Sequence, residues 1–248
     1  MFSNVKAKYP KEGTYRGRVA VEINDAFATH TPEAAYWSGW LNANTTIVRA
    51  NIANERIKDF AIITTLESER DHLLACLRFL GTSDAVSKPT ERGMITHKSG
   101  VLVPILEKQG IVYGKTNFTA PSWCTNSKDF WRGYIDANGE AGINKDGVLY
   151  LDIQCQESLK QALLSYIHSD EVLKANYVRA DTVKPYTNGI LICGHDAVNL
   201  FAYITTYVLD GETKAHVPNS KSFNHMFNDC ADQFVPIQST EDSIPLDK

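Results

Sequence analysis

The sequence predicts an α+β fold built from two pseudo-symmetric αββαββα repeats. One helix from each repeat pairs with the other, and two antiparallel sheets present their outer faces as a long saddle. Three observations carry this prediction. A ten-residue pattern occurs twice without gaps: Tyr-Trp-Ser-Gly-Trp-Leu-Asn-Ala-Asn-Thr at 36–45 and Phe-Trp-Arg-Gly-Tyr-Ile-Asp-Ala-Asn-Gly at 130–139. The two glycines, Gly39 and Gly133, are 94 residues apart in a chain of 248, the spacing of two similar halves. Each copy is also followed by the same succession of β-branched runs and a leucine-rich amphipathic stretch.

In the first half, Pro32 to Ala43 reads as a helix with Thr31 as N-cap and Pro32 at its first position. Thr45–Ile52 and Ile57–Thr65 read as strands around a turn near Ala53-Asn54. Glu67–Leu80 is an amphipathic helix, with Leu66, Leu73, Leu74, Leu77 and Leu80 forming a stripe of period 3.6 that Gly81 ends. Ala85–Lys88 and Gly93–His97 are expected as two further strands on either side of Pro89, and Val101–Gln109 as a closing helix.

The second half repeats the order. Ser127–Asn138 is expected as a helix. A short strand at Ile143 follows, then a hairpin turn at 144–147 and a strand at Val148–Gln154. Glu157–His168 is a helix with Leu159, Leu163, Leu164 and Ile167 on one side. Leu173–Val183 and Gly189–Cys193 are expected strands, and Asp196–Tyr207 the last helix. The domain boundaries that follow are a basic arm at 1–29, repeats at 30–120 and 121–210, and a C-terminal extension with an acidic tail at 211–248.

Gly39 and Ala43 lie four apart, as do Gly133 and Ala137. On a helix those positions share a face. Small residues there let two backbones approach closely, while Trp37, Trp40 and Leu41, or Trp131, Tyr134 and Ile135, supply the apolar body. Two such helices pair through their small-residue seams, and the asparagine ending each, Asn44 and Asn138, is brought toward a pseudo-twofold axis.

Composition bounds the function. With 43% hydrophobic residues the chain buries a sizeable core. No apolar run approaches a membrane span and no signal peptide is visible. The five scattered cysteines form no CxxC pair, which points to reduced thiols in a cytoplasmic or other reducing compartment rather than a secreted protein. Cys193, His195, His216, His225 and Cys230 fit no common zinc spacing. There is no Gly-rich phosphate loop, no Gly-x-Ser-x-Gly elbow and no His-Glu-x-x-His. The formal net charge of −4 resides in the tail, where Asp229, Asp232, Glu241, Asp242 and Asp247 face only Lys248. Residues 1–18 of the N-terminal arm are basic, with Lys6, Lys8, Lys11, Arg16 and Arg18 against Glu12.

The two ten-residue copies look like degenerate LAGLIDADG motifs, and the chain resembles a single-chain, two-repeat LAGLIDADG homing endonuclease over roughly residues 30–210. The lead-in His30-Thr-Pro-Glu-Ala-Ala-Tyr-Trp37 and the stretch Val101–Thr116, with its Gly-Ile and Lys-Thr, resemble that family's approach to the first motif and the close of its first repeat. The resemblance implies a monomer that binds double-stranded DNA on its sheet saddle, with side chains entering the major groove. Candidate contacts are Arg49, Asn51, Lys58, Lys88, Arg92, Thr96 and Lys98 in the first half. In the second half they are Asn144, Lys145, Lys174, Asn176, Arg179, Lys184 and Tyr186.

The resemblance also implies a metal site. In that family the second acidic residue of each motif holds a divalent ion against the scissile phosphates, and here those positions are Asn44 and Asn138. An amide brings an oxygen but no charge, and Mg²⁺ strongly favours carboxylates. Asp136 lies about 200° around the helix from Asn138 and is expected to point elsewhere, Glu140 lies just past the helix end within possible reach, and no acid is near Asn44 in sequence. The expectation is therefore a LAGLIDADG-type DNA-binding protein whose cleavage is reduced or lost. The alternative is an active Mg²⁺-dependent site-specific endonuclease using Asn44, Asn138 and Glu140.

Overall fold

The computed structural model describes residues 25–52, 56–114, 120–169 and 183–205. Helix α1, Pro32–Asn44, begins as its sequence dictates. Thr31 Oγ1 accepts from the Ala34 amide at 3.1 Å, and Pro32 occupies the first turn, where its missing N–H costs nothing. Every residue from Ala34 to Asn42 is buried, so α1 is a central helix rather than a surface one. Strands β1, Thr45–Ile52, and β2, Arg56–Leu66, follow as an antiparallel pair. A 3₁₀ turn at Glu67–Glu69 leads into α2, Arg70–Phe79. After a long connection come β3, Met94–Ser99, and the short helix α3, Val103–Lys108.

The second repeat opens with a single turn, α4, Ser122–Thr125, and then α5, Lys128–Asn138, capped by Ser127. Strands β4, Gly139–Ile143, and β5, Leu149–Gln154, are joined by a turn. The Asn144 side chain holds that turn by accepting from the amides of Asp146 and Val148, each at 2.9 Å. Helix α6, Glu157–Ile167, strands β6, Val183–Tyr186, and β7, Gly189–Cys193, and helix α7, His195–Thr205, complete the described residues. The second sheet runs β4-β5-β7-β6 and is antiparallel throughout, with Pro185 on its edge strand, where a missing donor is tolerated.

Among the described residues the first sheet has three strands, β1-β2-β3, not the expected four. Ala85–Lys88 runs beside β3 without becoming a strand. The Ser87 amide donates to the Thr96 carbonyl at 2.8 Å, but the returning bond from the Thr96 amide goes to the Ser87 hydroxyl, at 2.9 Å, and not to a backbone carbonyl. The side chain takes the ladder's place, and Pro89 removes the next donor. The first ten residues of the expected strand 173–183 lie outside the described residues. Phe27 is buried and packs edge-on against Phe79, with ring centroids 5.4 Å apart. The remainder of the arm before residue 25, and the extension at 211–248, lie outside the described residues.

Helices α1 and α5 form the axis of the molecule. A Cβ added to Gly39 would fall within the radius of the Phe130 carbonyl oxygen and 2.9 Å from both the Phe130 carbonyl carbon and the Tyr134 nitrogen. A Cβ on Gly133 would meet the Tyr36 carbonyl in the same way, with Trp40 nitrogen at 3.1 Å. The contact is reciprocal, backbone on backbone, and relates the repeats by a pseudo-twofold axis. Aromatic rings crowd around it: Tyr36, Trp37, Trp40, Phe130 and Trp131 are each 2% exposed or less.

Candidate nucleic-acid interface

Sheet register fixes which side chains face the helices and which face out. In the first sheet Thr45, Ile47, Ala61, Ile63, Thr65 and Ile95 are buried beneath the helices. The alternate residues, including Thr46, Val48, Lys58, Phe60, Ile62, Thr64, Thr96 and Lys98, form the open face. The ammonium groups of Lys58 and Lys98 lie 5.1 Å and 4.3 Å from the centre of the Phe60 ring. In the second sheet Leu149, Leu151, Ile153, Ile190 and Ile192 are buried, and Glu140, Gly142, Tyr150, Asp152, Gln154, Lys184 and Tyr186 face out.

The expected DNA contacts therefore divide. Lys58, Thr96, Lys98, Lys184 and Tyr186 sit on the open faces. Arg49 does not. It shares its face of β1 with Ile47, pairs in bidentate fashion with Asp59 at 2.9 and 3.0 Å, and stacks on Tyr113 at 4.7 Å. The alternation of the strand, which the residue type alone does not reveal, turns it away from the saddle. Asn144 is spent on its turn, while Lys145 is exposed at the tip of that turn. Lys88 and Arg92 are exposed in the connection before β3. Asn51 stands opposite Ile57 near the end of β1. Lys174, Asn176 and Arg179 lie outside the described residues.

Two cavities flank the ends of the helix pair, one per repeat, at equivalent stations. One, of about 430 Å³, is lined by Asn42, Ala43, Ile111, Tyr134, Asn138, Gln154, Cys155, Gln156, Glu157, Leu159, Thr187 and Asn188. The other, of about 200 Å³, is lined by Trp40, Asn44, Thr64, Thr65, Leu66, Glu69, Met94, Asp136 and Ala137. Ala43 thus faces the opposite helix at Tyr134 and Asn138, and Ala137 faces it at Trp40 and Asn44. The two asparagines line different cavities.

Each asparagine is tied to its own repeat. Asn138 Nδ2 donates to the Gln154 carbonyl at 3.2 Å and to the Tyr134 hydroxyl at 3.3 Å. With its amide set so that both atoms are paired, Asn44 donates to the Thr64 carbonyl at 3.2 Å and accepts from Trp40 Nε1 at 3.3 Å. Thr64 and Gln154 hold the same place in the two sheets, since Thr45 pairs with Ile63 as Gly139 pairs with Ile153. Both amides therefore point an N–H at a strand carbonyl, a bond that a carboxylate lacks the proton to make. Glu140 does not help: it stands on the open face opposite Asp152, hydrogen-bonded by the Tyr150 hydroxyl at 3.5 Å, and lines neither cavity. These positions do not fit a divalent ion held between carboxylates.

The carboxylates that do lie beside Asn44 come from elsewhere. Asp136 arrives across the helix pair and Glu69 from the start of α2. Neither was legible, because both depend on which faces of α1, α2 and α5 meet. Asp136 Oδ2 accepts from the Tyr36 hydroxyl, which also contacts His72 Nε2 at 2.9 Å, and His72 Nε2 lies 3.9 Å from Asp136. Burial lowers the pKa of His72, with Asp136 and Glu69 opposing and Arg132 assisting. At the equivalent station of the other repeat, Phe130 replaces Tyr36 and Asn42 replaces Asp136. There Asn42 Nδ2 bonds back to the Ser38 carbonyl at 2.7 Å, and its buried Oδ1 has no hydrogen-bond partner. The thiols nearby are protonated: burial pushes both Cys124 and Cys155 up to about 11. No group of three or more His, Cys, Asp or Glu able to hold a metal is present among the described residues.

Paired central helices, reciprocal glycines and two open antiparallel sheets define the fold of the single-chain LAGLIDADG homing endonucleases. The meganuclease I-SmaMI bound to uncleavable DNA superposes with a TM-score of 0.53 over 82% of this chain and 88% of its own, at 10% identity. I-LtrWI bound to target DNA matches with a TM-score of 0.51 at 11% identity, over 81% and 91% of the two chains. I-AabMI bound to uncleaved DNA matches with a TM-score of 0.51 at 11% identity, over 81% and 90%. I-SmaMI also has a structure on uncleaved target in the presence of calcium ions, with a TM-score of 0.50. No family model matches the sequence, and no curated protein matches it. Among the described residues, no helix is long and apolar enough to cross a membrane.

Proposed function

We propose that this chain is a double-stranded DNA-binding protein of the LAGLIDADG type, acting as a monomer, in which cleavage is reduced or lost. The observation that carries the loss of cleavage is the pair of amide bonds, Asn44 to Thr64 and Asn138 to Gln154, at the stations where the motif would otherwise present metal-binding carboxylates. Neither asparagine brings a negative charge, and the acids beside Asn44 are engaged around His72, Asp136 through the Tyr36 hydroxyl, so a divalent ion lacks the paired carboxylates from which to polarise a phosphate or ionise a water. Binding rests on the two open sheet faces and on the DNA-bound state of the structures that share the fold. The basic arm at 1–18 and the exposed lysines add sequence-independent attraction to phosphates.

The test uses the full chain and a pool of random duplexes, with retention measured at 50 and 200 mM salt and strand integrity followed with Mg²⁺ and with Mn²⁺. Retention that falls steeply with salt while both strands stay intact is the expected result. Metal-dependent cutting of a selected duplex would establish the active endonuclease instead. No retention at 50 mM salt would overturn DNA binding.

A further inference from the structure

The two sheets occupy equivalent stations about the pseudo-twofold axis, so they can be compared residue by residue. Helix α1 ends at Asn44 and α5 at Asn138, and the register of β1 on β2 matches that of β4 on β5. Thr46 and Ile62, a directly opposed pair, therefore correspond to Glu140 and Asp152. Val48 and Phe60 correspond to Gly142 and Tyr150. These four stations lie just beyond the helix ends, nearest the axis, on the open faces.

Their chemistry is opposite. The first sheet presents methyl groups and a ring, Thr46, Val48, Ile62 and Phe60, between two ammonium groups, Lys58 and Lys98. The second presents two carboxylates side by side. Tyr186 donates to Asp152 at 2.7 Å and Tyr150 to Glu140 at 3.5 Å. The Tyr150 ring lies across Gly142, where an added Cβ would meet it at 2.7–2.9 Å. The Tyr186 ring lies across Gly189, where an added Cβ would meet it at 2.6–2.8 Å. A side chain at Gly142 would displace the Tyr150 ring and release Glu140, so the absence of a Cβ there is part of the arrangement; at Gly189 the Ile153 carbonyl oxygen, 2.5 Å from an added Cβ, excludes a side chain in any case.

We infer that the two sheets read different groups in the major groove. The first reads thymine methyls, with lysines on the flanking phosphates, and the second reads the exocyclic amino groups of cytosine and adenine. Only those donors in the groove suit carboxylates already supplied by one phenol each. Thymine is the only base that offers a methyl there. At the inner stations phosphates are drawn to Lys58 and Lys98 and repelled by the carboxylate pair, and Lys184 on the edge strand is left to hold phosphate for the second sheet, so its inner stations add discrimination more than affinity. The target is then an asymmetric site, with thymines in the inner positions of one half and amino-bearing bases in those of the other. This inference rests on the DNA-binding reading above.

The experiment begins by selecting bound duplexes from a random pool with the full chain. The selected site is then scanned with deoxyuridine for thymidine, which removes one methyl. It is scanned separately with nucleosides lacking the amino group of cytosine or adenine. Methyl loss should weaken binding about fourfold per contacted thymine in one half only. Phe60→Ala should make that half indifferent to it. Amino-group loss should weaken binding at least about fivefold in the other half. The double variant Glu140→Gln, Asp152→Asn should change which base is preferred there while leaving the thymine half unchanged. Sensitivities shared equally by both halves, or absent from both, would overturn the inference while leaving DNA binding in place. A pool from which no duplex is retained would overturn the DNA-binding reading itself.

Discussion

Asn44 and Asn138 look interchangeable with aspartate in the sequence, and the structure argues that they are not. Each gives an N–H to a strand carbonyl, so aspartate would set a carboxylate against that oxygen. The double change Asn44→Asp, Asn138→Asp is expected to lower stability by roughly 1–3 kcal/mol per site. Added Mg²⁺ should recover none of the loss at Asn138, which lines a cavity apart from Asn44 and whose acidic neighbour there, Glu157, is paired with Lys160. Thermal melting of the single variant Asn138→Asp with and without Mg²⁺ checks this, and a large metal-induced rise would show that a metal seat survives at that station. Phe130 offers the converse case. Its counterpart Tyr36 donates to Asp136, while the oxygen of Asn42, the counterpart of Asp136, has no donor. Phe130→Tyr is expected to stabilise the fold by about 0.5–1.5 kcal/mol, read from the midpoint of urea unfolding. If Asn42→Ala gave the same gain in the tyrosine background as in the parent, the new bond would not have formed.

The helix pair is the element on which the rest depends, and it was also the most legible part of the chain. Gly39 and Gly133 could be paired from the sequence because the motif repeats and small residues on one helix face admit only a close partner. The carbonyls that any Cβ would strike, Phe130 and Tyr36, are backbone atoms held by their own helices and cannot move aside as a flexible side chain does. Gly133→Ala alone is therefore expected to cost about 3 kcal/mol or more, measured by urea unfolding; a loss under about 1 kcal/mol would mean the helices separate freely. Strands β1, β2 and β5 and helices α1, α5 and α6 were legible for similar local reasons, alternation or period 3.6 bounded by caps. The fourth strand of the first sheet failed because a serine hydroxyl substituted for a ladder carbonyl, which no periodicity records. Arg49 failed as a saddle residue because its choice of face is set by β1 register against Asp59. Asp136 and Glu69 were missed beside Asn44 because only tertiary packing brings three helices together.

At the scale of the molecule, the repeats are coupled by more than the glycine seam. Tyr36 and His72 of the first repeat and Asp136 of the second form one buried hydrogen-bonded group, with the Arg132 guanidinium 4.2 Å over the Tyr36 ring. Glu69 also lies near His72, so the charges around the imidazole partly oppose the burial that holds it neutral. Its folded pKa lies below the ordinary value of 6.5, which it recovers on unfolding. As pH falls through about 6.5 the unfolded chain takes up the proton first, so the contribution of His72 to stability is complete above that pH and is lost below it. The slope persists until the lower folded pKa is reached, where the native state binds the proton too. Because the group spans both repeats, the loss should lower a single cooperative transition rather than melt one half. Melting followed between pH 7.5 and 5 should show the midpoint falling mainly below 6.5, and His72→Gln should remove most of that slope while Tyr36→Phe keeps part of it. A midpoint flat over this range in the parent would mean that His72 has the same pKa folded and unfolded, a midpoint that rises on acidification would mean that it is charged in the native state and paired with Asp136, and two transitions in place of one would mean that the repeats unfold independently.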